Sequence, residues 1–160
     1  MKIFTLKDGE TDRCVACGED AVRLQNLRGR VFELRDENDL VFDEDLVVPV
    51  CAACKEFYVR GPTLERFSDA LERLHAAKKR ATVDQFVEKI EREFADVPRQ
   101  SWEDALGLSR GYLSRIQRGT RALSLHIEMF MRGVVAEPLP TLKLIKLSRR
   151  LPAELEAYLR

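Results

Sequence analysis

In this 160-residue chain, the residues whose types and spacing could most plainly do chemistry are four cysteines in two like-spaced pairs, Cys14-Val-Ala-Cys17 and Cys51-Ala-Ala-Cys54. Two thiolates separated by two residues can face one ion from a single tight turn. Two such turns supply the four tetrahedral ligands that structural zinc prefers. Gly18 follows the first pair at a place where the backbone of such a turn often needs positive φ. The other fates open to the four are disulfides, which a reducing compartment disfavours, and unrelated buried thiols, which the paired spacing argues against. Iron could occupy a similar site and transfer electrons, but no other pattern in the chain points to redox work. The expectation is one structural Zn2+ on Cys14, Cys17, Cys51 and Cys54. With its shell closed, such an ion folds the chain around it and has no position free for a substrate.

The elements between the pairs must position them. Residues 30–34, 40–42 and 46–50 are rich in Val, Leu and Phe and read as short strands separated by polar turns. That pattern is a zinc ribbon, with a sheet so small that it has little core of its own and relies on the metal for much of its folding free energy. The turns at 36–39 and 43–45 place six carboxylates within ten residues: Asp36, Glu37, Asp39, Asp43, Glu44 and Asp45. They read either as solvated turns that keep a hairpin edge from pairing with other chains or as a docking face for a basic protein partner. From Pro62, Leu64, Phe67, Leu71 and Leu74 recur at helical spacing. Lys78-Lys79-Arg80 then reads as a linker, with nucleic-acid contact as the other reading, and His75 as an ordinary helix residue.

From residue 82 the periodicity is helical throughout. Val83, Phe86, Val87, Ile90 and Phe94 form the stripe of a first helix that ends before Pro98. A short helix over 100–106 turns Trp102 and Leu106 inward, Gly107 permits a sharp turn, Leu108 fills the space between helices, and Ser109 is a natural N-cap. A helix over 110–118 then has Leu113 and Ile116 inward and Arg110, Gly111, Tyr112, Ser114, Arg115 and Arg118 outward, and Gly119 closes it. That is the build of a recognition helix. Its N-terminal turn would enter the major groove of DNA, with Ser109, Gly111, Tyr112 and Ser114 at the DNA surface, Arg110 and Arg115 reading bases, and Gln100, Arg118 and Arg121 on phosphates. The positive end of the helix would also favour phosphate.

Charge supports the division. The chain carries 27 basic and 27 acidic side chains, yet residues 1–60 hold 9 and 13 of them, and residues 99–150 hold 10 and 4. The cation excess sits where phosphates would lie. Further on, Leu125, Ile127, Phe130, Met131, Val134 and Val135 make one apolar helix, and Leu142, Leu144, Ile145 and Leu147 make another. A domain this small has few places to bury so many, which predicts a homodimer through these two helices. Leu151-Pro152 opens a further short C-terminal helix, and His126 reads as a surface or core residue and not as a ligand.

The segment LGLSRGYLSRIQRGTR resembles the helix-turn-helix of the Cro/repressor (XRE) family, over roughly residues 83–150. Glu103 departs from it, because the family usually carries Ala or Gly there. Together with the two-CxxC ribbon, the order resembles the MqsA type of zinc-ribbon antitoxin. That resemblance implies an N-terminal domain that binds a toxin and a C-terminal domain that binds palindromic operator DNA as a dimer. The family's base-reading Arg corresponds to Arg115, while its base-reading Asn falls on Gly111.

The reading is therefore an α+β chain: a zinc-ribbon domain over 1–61, a connecting helix and linker over 62–81, a helix-turn-helix domain of about five helices over 82–150, and a C-terminal helix over 151–160. The function expected is a sequence-specific DNA-binding repressor, the antitoxin of a toxin-antitoxin pair with a basic toxin on its ribbon. The alternative is a protein-protein adaptor without DNA binding. The sequence has no phosphate-binding loop, nucleophile elbow or open metal site, so catalysis is not expected. No apolar run reaches the roughly 18 residues of a membrane span. The opening MKIFTLKDGE has no long apolar stretch of a leader, which makes the cytoplasm the expected compartment.

Overall fold

A computed structural model describes residues 4, 6–7 and 9–159. Much of the opening stretch read above for a leader, and Arg160 at the end of the C-terminal helix, lie outside these residues. The chain is α+β, with two small antiparallel sheets followed by helices, and it divides into two compact units, 1–75 and 76–160. No helix among the described residues is long and apolar enough to cross a membrane.

The first unit contains β1 (Val22–Asn26), β2 (Val31–Leu34), β3 (Glu37–Val41) and β4 (Val47–Cys51). β1 pairs with β4 in a register that sets Val22 opposite Cys51 and Asn26 opposite Val47. Bridges from Asp12 to Val22 and from Val50 to Phe57 extend that sheet on both sides. β2 and β3 form a hairpin with Val31 opposite Val41 and an irregularity between Phe32 and Leu34. Two expectations change here. β1 was not read from the sequence, because only Val22 and Leu24 alternate in it. Residues 37–39, expected in a turn, lie in β3, since pairing with β2 and burial of Glu37 override the weak strand preference of Glu, Asn and Asp.

The long helix α1 runs without a break over Pro62–Glu93. The linker expected at 78–80 is helical instead. No Gly or Pro interrupts the chain between Pro62 and Pro98, and the Ala, Lys and Arg of residues 76–81 are good helix formers. In the first unit Phe67, Ala70 and Leu71 of α1 join Leu27, Phe42, Leu46, Val48 and Val50 in one buried cluster. Phe32, Phe42, Phe57 and Phe67 pack ring on ring there, with centroids 5.1–5.8 Å apart. The first unit thus has more core than its strands alone predict, because α1 covers them.

The second unit contains the later part of α1 and then α2 (Arg99–Ala105), α3 (Tyr112–Gln117), α4 (Leu125–Ala136), α5 (Pro138–Ser148) and α6 (Ala153–Ala157). The stripe Val83, Phe86, Val87, Ile90 and Phe94 is buried as the periodicity predicts. Trp102 is its centre, wholly buried and edge-on to Phe86 and Phe94 at 5.7 and 5.1 Å. Leu151 and Leu155 of the C-terminal segment belong to this same core.

Polar groups are buried with it, Glu128 most deeply. Glu128, 1% exposed, accepts from Lys79, from Thr82 Oγ1 at 3.4 Å and from Arg132 Nη2 at 2.6 Å. Lys79, read from the sequence as part of a basic linker, is an internal ion-pair partner.

Candidate metal centre and nucleic-acid interface

The two cysteine turns are built alike. In each, the first cysteine's carbonyl accepts from the N–H four residues on, Gly18 to Cys14 and Lys55 to Cys51, both at 3.0 Å. Its own N–H donates to the carbonyl five residues on, Glu19 or Glu56, both at 2.8 Å. This closure requires a left-handed residue at the fourth position. Gly18 supplies it at φ 81°, as expected, while the second turn forces Lys55 to φ 67°, and its Nζ donates back to the Ala52 carbonyl.

β1 and β4 hold the turns together, since Val22 faces Cys51 across the ladder and Val22 also bridges Asp12. All four Sγ atoms lie within 4.8 Å of one another. Cys14 Sγ is 3.6 Å from Cys54 Sγ, and Cys17 Sγ is 3.7 Å from Cys51 Sγ. A disulfide needs about 2.05 Å, and all four thiols are free. A tetrahedron of metal–sulfur bonds about 2.3 Å long has edges of about 3.8 Å. The four cysteines are therefore arranged to hold a single metal ion.

Electrostatics give the same result. The Tyr58 hydroxyl lies 3.1 Å from Cys14 Sγ and, with the backbone N–H of Cys17, holds the Cys14 thiol down at about 6. The thiolate in turn pushes the Tyr58 phenol up to about 12. For Cys54 the backbone N–H of Glu56 favours ionisation, but burial and the three neighbouring thiols outweigh it and push the group up to about 12. Cys17 is also raised. One thiolate is easily held in this cluster and four are not, unless a cation sits among them. Tyr58 was not found from the sequence. Its only signal is its position four residues past Cys54, at the end of the bridge that Phe57 makes to Val50.

In the second unit, α2 and α3 both end in the same way. Gly107 N–H donates to Asp104 and Leu108 N–H to Glu103 at the end of α2, and Gly119 N–H donates to Ile116 and Thr120 N–H to Arg115 at the end of α3. The glycines sit at φ 69° and 72°, the left-handed position such helix ends need. At Gly107 the Arg149 guanidinium lies over the place a Cβ would take, and it is the left-handed backbone that makes glycine the fitting residue.

Three expectations for the start of α3 need correction. The helix begins at Tyr112, with Gly111 at φ 71° as its cap residue, so Ser109 is not the N-cap. Tyr112 does not face outward. It is 7% exposed, and its hydroxyl donates to the Ala122 carbonyl at 3.3 Å. The N-terminal amides of α3 are also not open to phosphate at two positions. Glu103, 3% exposed, accepts from Gly111 N–H at 2.7 Å and from Leu113 N–H at 2.9 Å. Glu103 thus satisfies the first amides of α3, reaching across from α2. Unpaired amides at a helix start are the donors a buried carboxylate must find, which is the signal that could have located it.

No protein-family model, curated protein or solved structure matches this chain.

The remaining candidate residues fall into two groups. The Arg110 side chain is exposed, and so is Arg118, whose Nε donates to the Ser114 carbonyl at 3.2 Å. The Arg121 guanidinium lies over the Tyr112 ring, 5.1 Å from its centroid. Ser114 is half-buried. Arg115 is drawn back toward the start of the helix, donating from Nη1 to the Arg110 carbonyl at 3.0 Å and from Nη2 to Ser109 Oγ at 2.7 Å. Gln100 is tied into its own helix through Asp104 at 2.7 Å.

Proposed function

We propose that the second unit binds duplex DNA through α2 and α3 as a helix-turn-helix, that the first unit is a zinc ribbon, and that the chain is a sequence-specific transcriptional regulator. The observation that carries this reading is the tight α2–α3 connection, in which Glu103 fixes the start of α3 while Arg110, Arg118 and Arg121 stay exposed around it. Those guanidiniums belong to a stretch, 99–150, in which basic residues outnumber acidic ones by 10 to 4. A helix with one buried face and a basic outer face suits the major groove.

Zinc is the ion that best fits four clustered thiolates in a structural role. Two of the four cysteines, Cys14 and Cys51, are buried and hold their turns by backbone hydrogen bonds, as a folding site requires.

A regulator that reads a palindrome needs two copies. Supporting a homodimer are Leu125 and Met129 on α4 and Leu139, Leu144 and Leu147 on α5, large apolar side chains left between 44% and 85% exposed. On this reading the first unit is the surface for a protein partner, such as the toxin of a toxin-antitoxin pair. Its acidic run is a weaker attraction for a basic toxin than its composition indicates, since Glu44 pairs with Arg66 and Arg73, Asp45 with Arg28, and Asp36 with His75. The exposed Val31 and Val41, opposite each other in the β2–β3 hairpin, offer that partner an apolar contact.

The test is a titration of the chain and of Arg121→Ala against duplex DNA at several salt concentrations. The reading expects binding that weakens steeply with salt, and a slope lowered by about one unit in Arg121→Ala. Absence of binding at low salt rejects it in favour of a protein adaptor.

A further inference from the structure

Arg115 differs from the other guanidiniums around α3 in being held at two points. The acceptors are the Arg110 carbonyl at 3.0 Å and the Ser109 hydroxyl at 2.7 Å, both in the turn that precedes the helix. The guanidinium also lies across Gly111, whose missing Cβ would stand 3.6 Å from Nη1. Arg115 sits on the first full turn of α3 and is only half-buried. A guanidinium has five N–H donors, and these two contacts use one on each terminal nitrogen. The Nε–H and one N–H on each of Nη1 and Nη2 remain without a partner among the described residues.

A free arginine on a protein surface loses side-chain entropy when it is fixed on a base edge. Fixing it beforehand removes part of that loss and also sets the direction of its remaining donors. An internal ion pair would have consumed its charge, whereas a hydroxyl and a carbonyl leave the full cation facing outward.

Resting on the duplex-binding reading above, we propose that Ser109 is a positioning residue for base recognition. Its hydroxyl, acting with the Arg110 carbonyl, holds Arg115 in the orientation that presents two parallel donors to a guanine edge in the major groove. Ser109 itself touches no base in this arrangement. Its effect is on discrimination at the one base pair that Arg115 reads, and not on attraction to the phosphates.

The experiment is selection of the full chain on a library of random duplexes of about 30 base pairs, long enough for two half-sites one helical turn apart. The salt dependence of binding to unselected library DNA is measured in parallel. The wild type is expected to enrich a motif containing a G·C pair in each half-site. Arg115→Ala is expected to reduce the preference at that pair by about tenfold or more. Ser109→Ala should reduce it by about threefold to tenfold while leaving the salt slope on unselected DNA unchanged, and Ser109→Thr, which keeps the hydroxyl, should restore it. If Ser109→Ala weakens binding to every sequence equally, the residue is merely structural and the inference is overturned. It is likewise overturned if Arg115→Ala abolishes the preference but Ser109→Ala leaves it intact, or if the wild type binds DNA yet enriches nothing. A wild type that binds no duplex at low salt overturns the duplex-binding reading itself, before any variant is compared.

Discussion

The first unit buries eight residues in an aromatic cluster and, around the metal centre, only Cys14, Val22 and Cys51, whereas the second buries nineteen in one continuous core, among the described residues. Around the cysteines the remaining contacts are backbone hydrogen bonds and partly buried side chains such as Ala21 and Tyr58. A two-stranded sheet is marginal by itself, and what the cysteine end adds is four thiols arranged to hold a metal ion. The helical unit is built differently. It relies on Trp102, the α1 stripe and the Glu103 and Glu128 carboxylates, each of which meets buried or helix-end donors. The same long helix serves both cores, with Phe67, Ala70 and Leu71 in one and Val83, Phe86, Val87 and Ile90 in the other.

The largest effect expected from this contrast is that of metal removal. Chelation, or Cys51→Ser, should abolish slow amide exchange across residues 12–58 and leave the protected amides of residues 83–155 unchanged, because structural zinc contributes about 10 kcal/mol or more to a unit of this kind. Equal loss in both units would break the comparison, and so would a metal content well below one per chain in natively folded protein.

Next in size is the buried pair of the second unit. Glu128→Leu should lower its stability by about 3 to 5 kcal/mol, because the buried Lys79 loses the carboxylate it pairs with there. Glu128→Leu combined with Lys79→Met should recover most of that loss, since Arg132 is 53% exposed and can turn to solvent. Denaturant unfolding followed by Trp102 fluorescence, the chain's one tryptophan, reads both.

Glu103→Ala comes third, at about 3 kcal/mol, as it orphans the Gly111 and Leu113 amides that Glu103 now satisfies. The same denaturant series measures it. A loss below about 0.5 kcal/mol would mean that the cap adds nothing.

Leu144→Asp with Leu147→Asp is expected to have the smallest effect on folding, within about 0.5 kcal/mol, because both side chains are exposed. The pair should nevertheless convert a sedimenting dimer to a monomer. A wild type that is already a monomer at micromolar concentration would remove the dimer from the account.

Much of this was legible because some residues have one physical use. Paired cysteines, Gly18, Gly107 and Gly119, and the stripe from Val83 to Phe94 all stand where spacing and backbone freedom put them. What escaped was interaction across distance in the chain. β1 forms only because β4, about twenty residues later, faces it. The charges of Lys78-Lys79-Arg80 signal a linker and mask the continuity of α1, although Lys79 pairs with Glu128 inside the second unit. Tyr112 reads as outward beside Leu113, but it lies one helical turn before Ile116 and shares that residue's buried face. Ser109 has the composition of a cap and serves a side chain six residues on instead.

The proposed DNA surface lies wholly in the helical unit and should work without the metal. Its most direct test is binding of the full chain to duplex DNA before and after chelation, each measured from about 50 to 200 mM salt. The account predicts salt-dependent binding whose slope is the same in both states while the protection of residues 12–58 is lost. Duplex binding that vanishes with the metal, or that is absent in both states at about 50 mM salt, would contradict it.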